Sequence, residues 1–301
     1  MFDLILDFFI KNKLYNDLKK ENVSKILLED ADSICSYDVF PFHYLKIETS
    51  HYYSQSLLPR YTIKFKMTEE DVNQLISVFN PIFEKHSHKN YSVDISELDG
   101  FSNSKSPLNE LRSIDEFVEK YCPSYVQIIC VEQLKKMLNH YEIRIIHSPK
   151  TTSDNFLIYG WNDKLFLSNS GGSHHLAAAQ YIAARLKEPI KLNAQIIFHT
   201  INQAKLNLFN EKYVAFIIPR NGLLKLLDQF DRSGLKFIKF IENNKNFEIY
   251  FFEKNNTNKI IISIFRQKYS SLFDILSNRL LAKNNNSRLK KIIDTSDSNT
   301  F

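Results

Sequence analysis

Two histidines and a serine, side chains capable of acid–base or phosphoryl chemistry, stand together in the segment Gly171-Gly-Ser-His-His. The chain contains only six glycines, and two of them are adjacent here, at Gly171 and Gly172. Adjacent glycines indicate a backbone that adopts unusual dihedral angles or lets another group approach closely. The alanine-rich residues that follow predict a helix, whose first N–H groups and positive dipole end favour an anion. The segment therefore predicts a site for phosphate or for a nucleotide.

Individual roles follow from this arrangement. We expect backbone N–H groups of the turn to face the phosphate, and the histidines to stabilise the charge that develops in phosphoryl transfer. The catalytic candidates are Ser173, His174 and His175. The ligand-binding candidates are Asn169, Ser170, Gly171 and Gly172. A magnesium ion or a general base would require a carboxylate, and the nearest in sequence are Glu142, Asp154 and Asp163.

Short strands are predicted around this turn. Apolar runs on either side of Trp161 predict a hairpin, and the alanine-rich helix ends before Pro189. The predicted elements are strands at 142–147, 156–159, 165–167 and 194–199, a polar turn at 168–173 and a helix at 174–187. Together they predict a compact α/β domain.

The run Gly171-Gly-Ser-His-His-Leu-Ala-Ala-Ala, between two predicted strands, resembles the signature turn of the ParB/sulfiredoxin superfamily. In that superfamily a strand leads into a glycine-containing turn and a polar run that often ends in His-Arg at the head of a helix. The resemblance covers about residues 141–203. It implies a ParB/sulfiredoxin-like fold that binds nucleotide phosphate, with ATP or CTP as ligand and Mg²⁺ as a possible companion. It also implies ATP-dependent phosphoryl transfer, CTP binding and hydrolysis, or nuclease chemistry.

By the same resemblance, Gly172 corresponds to the turn glycine, Ser173 to the sulfiredoxin cysteine and His174 to the histidine. His175 stands where the superfamily has arginine, and histidine is only fractionally charged near neutral pH, whereas arginine is a permanent bidentate cation. Nucleotide affinity would then be weak, the site would take another ligand, or another cation would compensate. The candidates for that cation are Lys164 and Arg185. Serine in place of cysteine excludes sulfiredoxin-type thiol chemistry.

Other functions fit the same residues. The turn could be structural, with Ser173 as an ordinary N-cap and the histidines partly exposed. The protein could act on nucleic acid, as a nuclease or a DNA-binding regulator, or it could be a non-catalytic interaction protein of a defence or phage-related system. Ser173 could also be a hydrolase nucleophile, although the GxSxG elbow is missing.

Further polar residues outside the turn could contribute to a site. His86, His88 and Asp94 could bind a metal, or they could belong to a solvated loop. Side chains that could line the same cleft from neighbouring strand ends are His147, His199 and Asn202, and Arg220 could bind an anion. Each of these residues could equally be structural.

Composition narrows the class of protein. The net charge of +5, from 39 basic and 34 acidic residues, is too small and too dispersed for a dedicated nucleic-acid binder, so nucleic acid stays a possible partner only. The three cysteines, Cys35, Cys122 and Cys130, predict reduced thiols. No apolar run reaches the roughly 18 residues of a membrane span, and the N-terminus does not resemble a signal peptide. We expect a cytoplasmic protein that has no membrane contact and binds a nucleotide or phosphorylated small molecule.

The predicted fold class is α+β, in four consecutive segments. They are an N-terminal mixed α/β region (1–140), the ParB/sulfiredoxin-like domain (141–205), a C-terminal βαβββα unit (206–283) and a frayed tail (284–301). In the first segment we predict helices at 1–30, 68–79, 112–122 and 131–140, strands at 44–48 and 60–67, and polar turns at 86–110. In the third we predict strands at 213–219, 236–241, 247–252 and 259–265 and helices at 222–232 and 271–282.

Overall fold

The structure, a computed structural model, combines helices with two five-stranded sheets, which confirms the α+β class. It describes residues 13–18, 20, 25, 28, 32–47, 61–65, 68–162, 164–220, 237–242, 246–255 and 259–283. Residues 13–18 are helical, whereas the rest of the predicted first helix lies largely, and the predicted helix at 222–232 entirely, outside the described residues. In the described part, no helix combines the length and the apolar character needed to cross a membrane.

The helices and strands are numbered here in chain order. Apart from the helical residues 13–18, the helices of the described part are α1 Glu69–Phe79, α2 Ile114–Tyr121, α3 Val131–Leu138, α4 Arg144–His147, α5 Ser173–Leu186, α6 Gln203–Lys212, α7 Lys259–Lys268 and α8 Leu272–Lys283. The strands are β1 Tyr61–Phe65, β2 Phe83–Asp94, β3 Gly100–Phe101, β4 Asn155–Tyr159, β5 Leu165–Ser168, β6 Lys191–Ile201, β7 Tyr213–Pro219, β8 Phe237–Glu242, β9 Phe247–Glu253 and β10 Ser270–Ser271.

Two compact units divide the chain, and each is discontinuous in sequence. The first unit comprises Met1–Leu28, Tyr44–Phe83 and Ile201–Arg279, and the second comprises Glu29–His43, Glu84–Thr200 and Leu280–Phe301. The sequence pattern predicts four consecutive segments instead. The difference arises because β1, from the N-terminal part of the chain, pairs with β8 from the C-terminal part.

The first unit is built on an antiparallel sheet in the order β1-β8-β9-β7-β10. All but the last residue of β7 and of β9 are buried, as expected for central strands that are covered on both faces. On one face, Phe252 packs against Phe265 of α7. On the other, Phe251 packs against Phe79 of α1. Because side chains alternate along β9, this strand contributes to one hydrophobic core on each face of the sheet.

The predicted strand at 259–265 is wrong, because this segment is helix α7. Ile261, Ile264 and Phe265 are buried while Ser263 and Arg266 are exposed. This spacing follows the helical period rather than the alternation of a strand. The β-branched composition of Lys259-Ile-Ile-Ile favoured a strand, but packing on the sheet decided the outcome.

The second unit contains the sheet β2-β6-β4-β5-β3. Strands β4 and β5 form the predicted antiparallel hairpin, and β6 runs parallel to β4. Helix α5, which connects β5 to β6, packs against α2 and α3. Ala177, Ala178, Ala179 and Ala183 are fully or almost fully buried in this helix. Their small side chains let the neighbouring helices approach closely.

Three other local predictions are wrong. The segment predicted as a strand at 142–147 ends in the helical turn α4, and the one predicted at 44–48 begins in a 3₁₀ turn, Phe42–Leu45. The polar residues at the start of 86–110 belong to β2, an edge strand in which half of the residues are exposed and only Phe83 and Val93 are buried. Edge strands with polar, solvent-facing side chains lack the apolar alternation by which strands are predicted.

A buried ion pair joins two strands of the first unit. Lys239 Nζ lies 2.7 Å from a Glu248 carboxylate oxygen, and both side chains are almost fully buried. The hydroxyl of Tyr250 donates a hydrogen bond to the same carboxylate. Burial raises the pKa of Tyr250, and the negative charge of Glu248 raises it further. A buried charge is costly unless it is paired.

Replacing Lys239 by methionine should lower the free energy of unfolding by about 3–5 kcal/mol, because Glu248 is left buried and unpaired. The triple variant Lys239→Met, Glu248→Leu, Tyr250→Phe removes every member of the cluster and should regain most of this loss. Urea denaturation followed by circular dichroism measures both effects. A triple variant that is no more stable than the single one would contradict this account.

Candidate functional site

A cleft of about 570 Å³ opens at the start of α5 in the second unit. This volume is in the range of pockets that hold small-molecule ligands. Three loops, the 3₁₀ turn that contains Tyr125 and the beginning of the helix meet there. The lining residues are Asn103, Ser104, Lys105, Tyr125, His140, Tyr141, Glu142, Ser170, Gly171, Gly172, Ser173, His174 and His175. All five residues of the Gly-Gly-Ser-His-His motif thus line one cleft.

Gly172 shapes the wall of this cleft. It has φ +73° and ψ 8°, the left-handed conformation that favours glycine. A Cβ placed on it would lie 2.7 Å from the carbonyl oxygen of Glu142, too close for any real side chain. At Gly171 the nearest atom to such a Cβ would be 3.6 Å away, an ordinary contact. The glycine pair therefore contains one residue that must be glycine and one that has room for a methyl group.

Helix α5 begins at Ser173, with Gly172 as its N-cap and without a side-chain cap. Ser173 is therefore the first helical residue, and the alternative in which it is the capping residue is wrong. Within the described part of the chain, the N–H groups of Gly171, Gly172 and Ser173 donate no hydrogen bond. Amide groups of this kind at a helix start are ready to bind an anion.

Asn169 holds the turn from behind. It is 7% exposed, its side-chain oxygen accepts the N–H of Asn103, and its amide nitrogen donates to the carbonyl groups of Asn103 and Gly171. Because these bonds occupy its side chain within the protein, Asn169 shapes the loop rather than facing the cleft. This geometry therefore does not favour the predicted role of Asn169 as a ligand-binding residue.

Ser170 lies where the turn, α4 and β4 meet. Its backbone N–H and its hydroxyl both donate to Oδ1 of Asp154, at 2.9 Å and 2.7 Å. Arg144 donates a hydrogen bond to the hydroxyl oxygen at 2.9 Å. The cleft wall thus contains a hydroxyl held between a carboxylate and a guanidinium group.

His174 and His175 are both held in the neutral form near neutral pH. Burial, with Lys105 nearby, lowers the pKa of His174, whose Nε2 lies 2.9 Å from the hydroxyl oxygen of Ser106. Burial and the neighbouring His140 lower the pKa of His175 to about 4. The His175 ring stacks on His140 at a centroid distance of 3.5 Å. These imidazoles can exchange or donate protons, but they supply little positive charge at pH 7.

Positive charge at the cleft comes from residues other than the cations predicted from the sequence. Lys105 lines the cleft, with Nζ 4.0 Å from a carboxylate oxygen of Glu142, and Arg144 contacts Ser170.

The predicted compensating cations lie elsewhere. Lys164 pairs with Asp32, and Arg185 pairs with Asp115 and stacks on Tyr181.

Of the carboxylates nearest in sequence, Glu142 lines the cleft and Asp154 contacts Ser170, whereas Asp163 lies outside the described residues. Glu142 is therefore the carboxylate best placed to meet a ligand directly. Sequence reasoning also missed Tyr125, His140 and Tyr141, which are distant from the motif in the chain. The only local signal is that His140 and Tyr141 are adjacent polar aromatic residues.

The remaining candidates do not line this cleft. Side-chain Nε2 of His147 lies 2.8 Å from the carbonyl oxygen of Leu138, and the ring of His199 stacks on that of His43. Asn202 caps helix α6, and the backbone N–H of Arg220 donates to the carbonyl of Asn246.

The proposed metal triad is not assembled either. His86 and His88 lie against the ring of Phe198, while Asp94 caps a 3₁₀ turn. Among the described residues, no group of three or more histidine, cysteine, aspartate or glutamate side chains could hold a metal ion.

Fold and site together define an α+β protein with a small-molecule-sized cleft at an uncapped helix start. Residues 88–299, more than half of the 301-residue chain, match the family described as "Family of unknown function (DUF6685)", and the chain belongs to this family. No curated protein and no solved structure matches the chain. The resemblance to the ParB/sulfiredoxin superfamily therefore rests on the motif alone.

The two glycines of the turn should respond differently to alanine. Gly172→Ala should lower the free energy of unfolding by about 1–3 kcal/mol, because it places a Cβ against the Glu142 carbonyl at a positive φ. Gly171→Ala, the matched control, should change it by less than about 0.5 kcal/mol. Thermal and urea unfolding of both variants test this, and equal stabilities would contradict the described turn.

Stability should fall as the pH is lowered from about 6.5 to about 4. The folded state resists protonation of His175, whose pKa is about 4, whereas the unfolded chain takes up that proton near pH 6.5, so protonation favours unfolding. His175→Phe retains an aromatic ring beside His140 and removes the titrating group. Urea titrations across this pH window should show a weaker pH dependence in the variant; an unchanged dependence would contradict the assignment.

Proposed function

We propose that the cleft binds the phosphate of a nucleotide, such as ATP or CTP, or of a phosphorylated small molecule, and supports phosphoryl transfer or hydrolysis. The observation that carries this proposal is the uncapped start of α5, where the N–H groups of Gly171, Gly172 and Ser173 have no partner within the described chain. Backbone amides and the helix dipole bind phosphate without requiring a particular side chain.

Charge around the turn supports an anionic ligand. Lys105 and Arg144 provide two cations near the amides, and the side chain of Lys105 is largely exposed, with Glu142 as an ion-pair partner at 4.0 Å. They supply the charge that arginine provides in the ParB/sulfiredoxin motif. The neutral His174 can act as a proton donor or acceptor while phosphate binds next to it.

The rest of the cleft suits an organic group attached to that phosphate. Tyr125, His140, Tyr141 and His175 are aromatic lining residues, and Tyr125 and His140 both contact the ring of His175. Aromatic faces of this type stack on nucleobases. The volume of about 570 Å³ leaves space for a group larger than phosphate. These properties favour a nucleotide over inorganic phosphate.

Magnesium is compatible with the residues present. Mg²⁺ commonly binds through one or two carboxylates together with the phosphates of the ligand. Glu142 is the lining carboxylate that would hold it, and the ion would neutralise phosphate charge.

Charge reversal at the cleft tests the proposal. Isothermal titration with ATP, CTP and inorganic phosphate, each with and without Mg²⁺, should show tighter binding of a nucleotide than of phosphate. Lys105→Glu should weaken nucleotide binding about tenfold, or roughly 1.4 kcal/mol, because it places a negative charge beside the phosphate.

The matched control is Lys150→Glu, which changes the net charge equally at an exposed lysine that does not line the cleft. It should alter nucleotide affinity by less than about twofold. Equal weakening by both variants, or no binding of any of the three ligands, would contradict the proposal. Salt-dependent binding of DNA or RNA without nucleotide binding would instead favour the nucleic-acid alternative.

A further inference from the structure

Ser170 is the hydroxyl in the cleft that is best prepared for nucleophilic attack. Its proton is directed at Oδ1 of Asp154 at 2.7 Å, a distance typical of a strong hydrogen bond to a carboxylate. The residue lines the cleft next to Gly171 and Gly172. A nucleophile with a base in hydrogen-bond contact, beside amides that can bind an anion, is the arrangement that covalent catalysis requires.

Asp154 has properties that a purely structural role leaves unexplained. The residue is 6% exposed, and its second carboxylate oxygen, Oδ2, is buried without a hydrogen-bond partner in the described part of the chain. A buried acceptor without a protein partner is rare because it carries a desolvation cost, and Oδ2 keeps lone pairs that can accept a proton. A turn-shaping role would need only the contact of Oδ1 with the Ser170 backbone.

Ser173, which the motif resemblance places at the sulfiredoxin cysteine, is less suitable. It is 4% exposed and begins helix α5. Ser170 is half-buried, so a ligand in the cleft can contact it. Its hydroxyl is hydrogen-bonded to both Asp154 and Arg144, which can activate it.

The geometry points to Ser170 as the acceptor of a phosphoryl group from a nucleoside triphosphate bound in the cleft, with Asp154 as its general base; this assignment rests on the proposed function. The Ser170 oxygen attacks the terminal phosphorus, an O–P bond forms, and its proton passes to Asp154. The bond from that phosphorus to the bridging oxygen breaks, and the nucleoside diphosphate leaves with the electron pair. Arg144, which donates to the serine oxygen, stabilises its negative charge during attack.

Phosphoryl transfer to the full-length chain tests this assignment. The protein is incubated with ATP, CTP or GTP and Mg²⁺ and quenched in acid over a time course. Intact-mass measurement should show the addition of one phosphoryl group, and peptide mapping should place it on Ser170. Ser170→Ala should abolish the labelling, and Asp154→Asn should slow it by about 100-fold or more, the usual effect of removing a general base.

Ser96 supplies a matched control. Its hydroxyl donates to Asp94 Oδ1 at the same 2.7 Å, but neither residue lines the cleft. Ser96→Ala should leave the labelling unchanged, and Ser96 should carry no phosphate in the wild-type protein.

Nucleotide binding by the same preparation, measured calorimetrically, distinguishes two failures. Binding without any phosphoserine at any time, or with phosphate on another residue, overturns the assignment of Ser170 and leaves the proposed function standing. Absence of nucleotide binding overturns both. Mapping on the wild-type chain does not depend on whether the variants fold.

Discussion

The close approach between the glycine turn and the carbonyl oxygen of Glu142 is the constraint on which the cleft depends. With a Cβ position 2.7 Å from that oxygen and a φ of +73°, residue 172 must be glycine on steric and conformational grounds. Because Gly172 also occupies the N-cap position, it brings no side chain to satisfy the first amides of α5. One packing contact therefore accounts both for the shape of the turn and for the amides that it leaves open to an anion.

Burial decides where charge resides around that turn. The two histidines of the motif are partly enclosed by Phe117, Tyr125 and His140, and their pKa values fall as a result. Positive potential comes instead from backbone dipoles and from Lys105 and Arg144 at the edge of the cleft. The motif consequently supplies shape and proton-exchanging groups, while other segments of the chain supply the cations.

Much of the framework of the cleft could be predicted from local pattern. The hairpin of β4 and β5, helix α5 and strand β6 follow from alternating and alanine-rich segments, which retain their local preference in the fold. The predictions at α7 and β2 are wrong because the local pattern does not match the structure that forms there. In α7, packing on a sheet overrode a β-branched composition, and in β2 an exposed edge strand carried no apolar alternation.

The sequence by itself determined the α+β class, the position of the glycine turn and the helix that follows it, because these depend on the conformational preferences of neighbouring residues. Only the tertiary structure decided that Lys105, His140 and Glu142 meet the turn, and that Asp154 contacts Ser170. It also decided that burial lowers the pKa values of the two histidines. These properties depend on distances between segments far apart in the chain and on exclusion of water, neither of which is encoded in local spacing.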